Sequence, residues 1–236
     1  MSRPCVVLLP GLLCDEAVWL YQRSALASAD CIIPSYGEAN DLGEMARGVL
    51  ANVPSERFSL AGHSMGGRIA LEIMKFAPAR VERLALLDTG VDPIAPGDAG
   101  AQERDKRMAL LQIAREHGMR KMGEQWARGM VHEDRIGTPV FAEILDMIER
   151  RTPDVFAAQI HALLNRPDAT PVLGTLRCPT LFLCGRQDAW SPLSRHERMH
   201  EMCPGSQLVA IENSGHMSTM EQPEAVSRAL LEWFNR

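Results

Sequence analysis

Six short apolar runs, separated by stretches of helical pattern, are the feature that most limits how this chain can fold. Most of the runs are continuously apolar, which is typical of strands buried on both faces of a parallel sheet. The runs are CVVLL (5–9), CII (31–33), FSLA (58–61), RLALLD (83–88), TLFLC (180–184) and QLVAIE (207–212). We therefore predict an α/β fold, with a mainly parallel sheet of about six strands and helices on both faces.

Helical patterns fill most of the intervals between these runs. The candidates lie at 16–28, 41–52, 65–77, 192–202 and 223–235. In the third, Ile69 and Ile73 share one apolar face and Pro78 ends the helix. In the last, Pro223 stands at the first turn, where proline is favoured.

One long interval breaks the alternation of strands and helices. From about Val91 to Arg177 there is no strand pattern, but four helical stretches separated by glycine and proline. We predict a core of residues 1–90 and 171–236, with residues 91–170 inserted as a helical cap. Because the cap leaves the core just after one strand and returns just before another, we expect it to cover the carboxyl ends of the strands.

Composition narrows the class of protein. The 236 residues, 46% hydrophobic and 23% charged, are enough to bury a large core. A net charge of -5 with scattered lysines and arginines argues against a nucleic-acid partner. The N-terminal apolar run is broken by Pro10-Gly11, unlike a signal peptide, and no apolar stretch reaches the length of a membrane span. We expect a soluble, cytoplasmic protein without a membrane partner.

The six cysteines show no CxxC spacing, and three of them lie inside strand-like runs. A buried thiol packs there as a small hydrophobic group, so we expect reduced structural cysteines and no metal site. The sequence does not indicate an oligomeric state.

The segment Gly62-His63-Ser64-Met65-Gly66 matches the pattern G-x-S-x-G. It follows a strand and opens a helix, which is the setting in which a nucleophilic serine sits on a sharp turn. Glycine neighbours allow the chain to pack closely while the hydroxyl projects above the sheet. From the pentapeptide alone, an ordinary turn serine remains an alternative.

A serine hydroxyl needs a base, and the base needs a group that orients it. Asp188 follows the strand at 180–184, and His216 follows the strand at 207–212. Residues just beyond the carboxyl ends of parallel strands share one edge of the sheet, so these groups can meet Ser64 there. Asp88 also follows a strand and is the alternative acid.

Two backbone amides are candidates to hold an oxyanion. Gly11-Leu12 comes directly after the first strand, where the Leu12 amide can face the serine across the crevice between strands. The Met65 amide lies at the start of the following helix, where the helix dipole favours negative charge.

The Gly11-Leu12 loop, GHSMGG, GRQDAWSP and SGHM, in this order, resemble the α/β-hydrolase fold family in its compact, capped serine esterase form. The resemblance covers essentially the whole chain. It implies a cofactor-independent hydrolase with Ser64 as nucleophile, His216 as base, Asp188 as acid and a small-molecule acyl substrate. Pro10-Gly11 stands where the family often has His-Gly, and the chain starts at the family's third strand, so we expect no N-terminal hairpin.

The same three groups serve several chemistries in this family. They include C–C bond hydrolases, lactonases, perhydrolases and the menaquinone-pathway synthase, whose turn tends to read Ser-x-Gly-Gly-Arg, as from Ser64 to Arg68. Ser64 argues against the relatives with an aspartate nucleophile. Met217 argues against the hydroxynitrile lyases, which have lysine there. A noncatalytic ligand-binding relative is the alternative from another class.

For the substrate pocket we assign Trp126, Phe141, Trp190 and His63, although core packing is the ordinary role of such residues. Arg68 is interpreted as a helix-surface or ion-pair residue. The cap offers no evident cluster of charged groups, so we expect a small to medium, mostly apolar pocket that takes short to medium acyl esters.

Overall fold

A six-stranded sheet, parallel throughout, forms the centre of the computed structural model, which describes residues 3–236. Its spatial order is β2-β1-β3-β4-β5-β6. The strands are β1 Cys5–Leu9, β2 Asp30–Ile32, β3 Phe58–His63, β4 Val81–Leu87, β5 Thr180–Gly185 and β6 Gln207–Ile211. The prediction of a mainly parallel sheet of about six strands is confirmed.

The continuous apolar runs form the inner strands because both of their faces are covered. Every residue of β1, β3 and β5 is buried. The register places Val7 of β1 beside Leu60 of β3, and Leu60 beside Leu84 of β4. The two edge strands, β2 and β6, are more exposed.

Helices surround this sheet. Their bounds are α1 Leu20–Ala25, α2 Leu42–Asn52, α3 Met65–Phe76, α4 Asp98–His117, α5 Met119–Trp126, α6 Pro139–Glu149, α7 Pro153–Leu164, α8 Thr170–Leu173, α9 Leu193–Glu201, α10 Ser218–Glu221 and α11 Pro223–Phe234. Short 3-10 turns occur at Glu16–Trp19, Pro78–Arg80, Ala127–Gly129 and Glu133–Arg135. α3 packs on β1, β3 and β4 and against α2, whereas α11 packs on β4 and β6 and against α1.

The segment between β4 and β5 is helical, as its sequence pattern predicts. The four predicted stretches correspond to α4, α5, α6 and α7. α4 packs against α5 and α7, and α5 packs against α6. Proline opens both α6 and α7, and the Thr152 hydroxyl accepts the Val155 amide at 3.2 Å to cap α7.

The carboxyl ends of the central strands collect the candidate polar residues at one edge of the sheet. Ser64 follows β3, Asp88 follows β4, Asp188 lies just beyond β5 and His216 lies just beyond β6. The helical segment begins just beyond this edge, and the Ala169 amide donates to the Val91 carbonyl at 2.9 Å, which brings both ends of the segment together there. Its side chains can therefore cover the same place.

Candidate active site

Ser64 occupies the turn between β3 and α3 in a strained backbone conformation. Its φ is 54° and its ψ is -117°, a combination that costs a residue other than glycine on the order of 1–3 kcal/mol. The Ser64 amide donates to the Leu87 carbonyl at 2.8 Å, and the Thr89 hydroxyl donates to the Ser64 carbonyl at 2.7 Å. These bonds hold the turn with the Ser64 side chain at the wall of a cavity.

The glycines of the G-x-S-x-G segment permit contacts that no side chain would allow. A Cβ at Gly62 would lie 2.4 Å from the Gly66 carbonyl oxygen, and one at Gly66 would lie 2.2 Å from the Leu9 carbonyl oxygen. Both neighbours are backbone atoms that cannot rotate away. The close packing of β1, β3 and α3 around Ser64 therefore requires glycine at both positions.

Three side chains that follow different strands form one continuous row. His216 Nε2 lies 2.8 Å from Ser64 Oγ, and His216 Nδ1 lies 2.8 Å from Asp188 Oδ2. The other oxygen of Asp188 accepts the amides of Trp190 at 2.8 Å and Ser191 at 2.9 Å. With its carboxylate fixed in this way, Asp188 keeps a proton on His216 Nδ1 and leaves Nε2 free to accept the Ser64 proton.

Burial and charge set the protonation of this row. Asp188 and His216 are 2% and 5% exposed. Burial is the largest single effect and disfavours the charged form of each, but their mutual attraction and the hydrogen bonds around them together outweigh it. The pKa of His216 is therefore raised above its ordinary value and the pKa of Asp188 is lowered.

The loop that carries His216 is anchored by Glu221, a residue that the sequence analysis did not single out. The buried Glu221 carboxylate accepts the amides of Gly215 at 3.0 Å, Met217 at 3.1 Å and His132 at 2.7 Å. His132 belongs to the helical segment, so one carboxylate joins that segment to the His216 loop. The only signal in the sequence is an acid just ahead of the proline that opens α11.

Leu12 and Met65, whose amides are the predicted oxyanion donors, border the same cavity as Ser64. A Cβ at Gly11 would lie 3.2 Å from Ser64 Cβ, which brings the Gly11-Leu12 turn against the serine. Met65 is the first residue of α3, so its amide has no acceptor within the helix. We find no acceptor for the Leu12 amide in the described chain.

His63 and Asp88 lie beneath the row of three and do not take part in it. His63 Nε2 lies 2.8 Å from the His216 carbonyl oxygen, and burial lowers the pKa of His63 to about 3, so its ring is neutral. Asp88 accepts the Gly185 amide at 2.9 Å and the Ser218 hydroxyl. Burial and the Asp188 charge raise the pKa of Asp88 well above its ordinary value. His63 and Asp88 therefore support the backbone around His216.

A cavity of about 540 Å³ opens above Ser64. Two of the predicted pocket residues form part of its wall, since the rings of Trp126 and Trp190 stack with centroids 5.2 Å apart. Trp190 also lies 5.1 Å from the His216 ring. His63 is the third predicted residue that borders the cavity.

Phe141 corrects one part of the pocket assignment. It is buried on α6 and borders a separate depression with Ile113 and Leu145, away from the cavity above Ser64. The apolar side of α6 faces α5 and the inside of the helical segment, so Phe141 stabilises that segment.

The expectation that the pocket carries no cluster of charged groups is wrong. The cavity wall includes two acids, Glu103 and the buried Asp88, and five cationic side chains: Arg68, Lys106, Arg107, Arg166 and Arg195. Arg68 follows Ser64 by one helical turn and faces the cavity, so its interpretation as a helix-surface residue is also wrong. The arginines come from α3, α4, α9 and the chain after α7, and only the folded structure brings them together.

Among residues 3–236, no three His, Cys, Asp or Glu side chains converge in a way that could hold a metal ion. The helices in that same range include none with the length and apolar character needed to cross a membrane.

Comparison with known proteins places this geometry in a family. Residues 6–229 match the model of the alpha/beta hydrolase family. A thermophilic esterase from Thermogutta terrifontis, solved with malate bound, superposes with a TM-score of 0.86 at 29% identity over 99% of this chain and 90% of that one.

Two curated relatives are hydrolases. The pimeloyl-[acyl-carrier protein] methyl ester esterase of Nitrosomonas europaea is 25% identical over 94% of this chain and 92% of its own length. The 2-hydroxy-6-oxononadienedioate/2-hydroxy-6-oxononatrienedioate hydrolase 1 of Pseudomonas putida is 25% identical over 88% of this chain and 73% of its own length. The match spans slightly less than two thirds of the length of two other curated relatives.

The family model matches nearly the whole chain, from the first strand through most of the last helix. The protein belongs to the alpha/beta hydrolase family.

Proposed function

We propose that the protein is a serine hydrolase that cleaves a small to medium carboxylic ester through an acyl-enzyme. The observation that carries this proposal is the row of 2.8 Å contacts from Asp188 through His216 to Ser64. A nucleophile, a base and an orienting acid in hydrogen-bond contact are the minimum set for acyl transfer.

In the first half of the reaction, Ser64 Oγ attacks the ester carbonyl while His216 Nε2 takes its proton. The Asp188 carboxylate stabilises the imidazolium that forms. The Leu12 and Met65 amides donate to the oxyanion of the tetrahedral intermediate. When that intermediate collapses, His216 returns the proton to the leaving alcohol and the acyl group stays on Ser64.

In the second half, water replaces the alcohol. His216 accepts a proton from the water as its oxygen attacks the acyl carbon, and the same two amides hold the second oxyanion. Collapse releases the carboxylic acid, and the proton on His216 returns to Ser64 Oγ. The residues thus end the cycle as they began it.

The helical segment limits the size of the substrate in this proposal. We assign residues 91–170 as a cap over the core formed by 1–90 and 171–236, because Trp126 and other residues of the segment border the cavity above Ser64. A volume of about 540 Å³ suits a small molecule, so short to medium acyl groups should fit better than long lipid chains.

Cleavage of a C–C bond is the second candidate. A relative named as a hydrolase of an oxo-dienedioate is similar over 88% of this chain. Both candidates use a serine and a histidine, but only ester cleavage releases an alcohol.

The test is a panel of soluble esters, lactones and thioesters together with a vinylogous 1,5-diketone acid, assayed with wild type and Ser64→Ala. The proposal expects ester cleavage that falls by on the order of 10⁴-fold in Ser64→Ala. Selective cleavage of the diketone would favour the second candidate. Ester cleavage at the wild-type rate in Ser64→Ala would end the proposal.

A further inference from the structure

One side of the cavity above Ser64 is strongly cationic. Arg68, Arg107, Arg166 and Arg195 all border it, and Glu103 is the acid of the wall that pairs with arginines among them. These residues come from separate parts of the chain, so the cluster is a product of the fold.

Two of the four arginines share Glu103 as their partner. Arg166 binds both Glu103 oxygens, at 2.7 and 2.8 Å, and Arg107 lies 2.9 Å from one of them. Burial alone would raise the pKa of Glu103, but these guanidiniums lower it to about 2. One negative charge is thus shared by two positive ones.

The third arginine also has an acidic neighbour. Arg195 Nε lies 3.8 Å from Asp92, and its terminal nitrogen donates to the Trp190 carbonyl at 3.3 Å. Asp92 is shared as well, because Arg198 binds its other oxygen. The acids around the cavity therefore leave an excess of positive charge.

Arg68 is the arginine without a partner. In the part of the chain that the structure describes, no carboxylate lies within 4.0 Å of its guanidinium and no group accepts a hydrogen bond from it. Burial, together with Arg166 and Arg195, lowers the pKa of Arg68 to about 9, so the side chain is still charged at neutral pH. A charged guanidinium at the cavity wall with no acceptor in the protein can donate to an anionic ligand in the cavity.

The position of Arg68 relates this charge to the reaction. Ser64 stands directly before α3 and Arg68 lies in the first turn of that helix, four residues later in the chain. Both side chains border one cavity. An anion held by Arg68 would therefore lie only a few bonds from a carbonyl held at Ser64.

We propose that Arg68 binds a carboxylate of the substrate, so that the protein acts on esters that also carry a free carboxylate a few carbons away. A guanidinium is suited to this group because its planar fork donates two parallel hydrogen bonds to a carboxylate. The inference rests on the proposed function, since it places the anion relative to Ser64 as nucleophile.

The test compares three esters of similar size. Monomethyl glutarate carries a carboxylate, whereas dimethyl glutarate and methyl pentanoate do not, and methanol release gives kcat/KM for each. A charge-assisted hydrogen bond between Arg68 and the substrate carboxylate predicts a kcat/KM about 10- to 100-fold higher for monomethyl glutarate than for the uncharged esters. A fourth ester, 4-acetoxybutanoate, carries its carboxylate on the alcohol part instead of the acyl part. Comparing it with monomethyl glutarate shows on which side of the ester the carboxylate is bound.

Three variants assign the preference to one side chain. Arg68→Gln should bring the ratio of kcat/KM between monomethyl and dimethyl glutarate close to one, and Arg68→Lys should keep part of it. Arg228→Gln is the matched control, because Arg228 is an exposed arginine on α11 that does not border the cavity. Its ratio should equal that of wild type.

The outcomes separate this inference from the proposed function. Ser64-dependent cleavage of dimethyl glutarate without preference for either anionic ester would overturn the carboxylate site and leave the serine hydrolase intact. If no ester is cleaved in a Ser64-dependent way, the carboxylate site is tested by calorimetry with glutarate. Binding of glutarate to Ser64→Ala that is lost in Ser64→Ala/Arg68→Gln supports the site. No binding of glutarate to Ser64→Ala overturns it.

Discussion

The amide of His216 donates a hydrogen bond of 2.6 Å to the carbonyl of Met130. Met130 belongs to the helical segment between β4 and β5, and His216 is the base in our proposal. The position of the imidazole therefore depends on how that segment sits against the core.

Gly215 provides a way to disturb this contact. A Cβ at Gly215 would lie 2.7 Å from the Met130 carbonyl oxygen and 2.8 Å from the Val131 carbonyl carbon. We expect Gly215→Ala to push the two backbones apart and displace His216. Such a displacement should lower kcat by about 10- to 100-fold and the free energy of unfolding by about 1–3 kcal/mol.

Gly48→Ala is the control for this substitution. Gly48 is exposed on α2, and no atom lies within 4 Å of where its Cβ would be. The alanine should leave kcat unchanged and raise the free energy of unfolding by about 0.5–1 kcal/mol. Equal kcat values in Gly215→Ala and wild type would show that the contact does not position His216.

The strained turn at Ser64 predicts a difference between two inactive variants. Ser64→Ala keeps a Cβ at a φ of 54°, whereas glycine adopts positive φ without strain. We expect Ser64→Gly to be more stable than Ser64→Ala by about 1 kcal/mol after the entropy cost of glycine is included. Urea denaturation of both measures it. A less stable Ser64→Gly would mean that the turn stores no strain.

The apolar runs predicted the sheet well because a strand that is buried on both faces is apolar at consecutive positions. The boundaries were less certain where charged residues extend a strand. β4 begins at Val81, two residues ahead of the predicted 83–88 run, and so includes Glu82 before Arg83. The Arg83 guanidinium lies 5.8 Å from the Phe234 ring centroid, so its stem packs against α11.

In the candidate site, too, the sequence predicted some features and could not predict others. The sequence predicted where Ser64, Asp188 and His216 would stand, because each follows a strand and parallel strands end at one edge. It could not predict the surroundings of Arg68, because Arg166 and Arg195 lie about a hundred residues away or more. Their approach depends on how the helical segment packs, which no local pattern records.

The raised pKa of His216 sets the acid limb of activity. The imidazole must be neutral to accept the Ser64 proton, so kcat/KM should rise with pH through a midpoint above the ordinary histidine value of about 6.5. Measurements with a soluble short-chain ester give that midpoint. A midpoint well below 6.5 would contradict the charge interaction with Asp188.

Asp188 and Asp88 should differ sharply when each becomes asparagine. Asp188→Asn removes the charge that orients His216, so kcat should fall by about 10⁴-fold and the midpoint should move to lower pH. Asp88→Asn should cost at most about 10-fold, since the raised pKa of Asp88 favours its neutral form and an amide oxygen can still accept the Gly185 proton. If only Asp88→Asn loses activity, the acid is misassigned.

The cavity volume predicts how the protein treats lipids. Rates should be highest for dissolved esters with short to medium acyl groups and should not surge when substrate concentration passes the limit at which droplets form. A pH-stat series across that limit, with triglycerides of increasing chain length, measures both. Efficient cleavage of emulsified long-chain triglyceride would identify the helical segment as a mobile lid.

The central claim, that Ser64 is the nucleophile, is tested most directly by mass spectrometry after reaction with a fluorophosphonate. We expect one phosphonyl adduct per chain, on the peptide that contains Ser64, formed quickly in wild type and slowly in His216→Ala. Ser64→Ala should gain no adduct. Labelling of Ser64→Ala at the wild-type rate, or an adduct on another residue in wild type, would contradict the account.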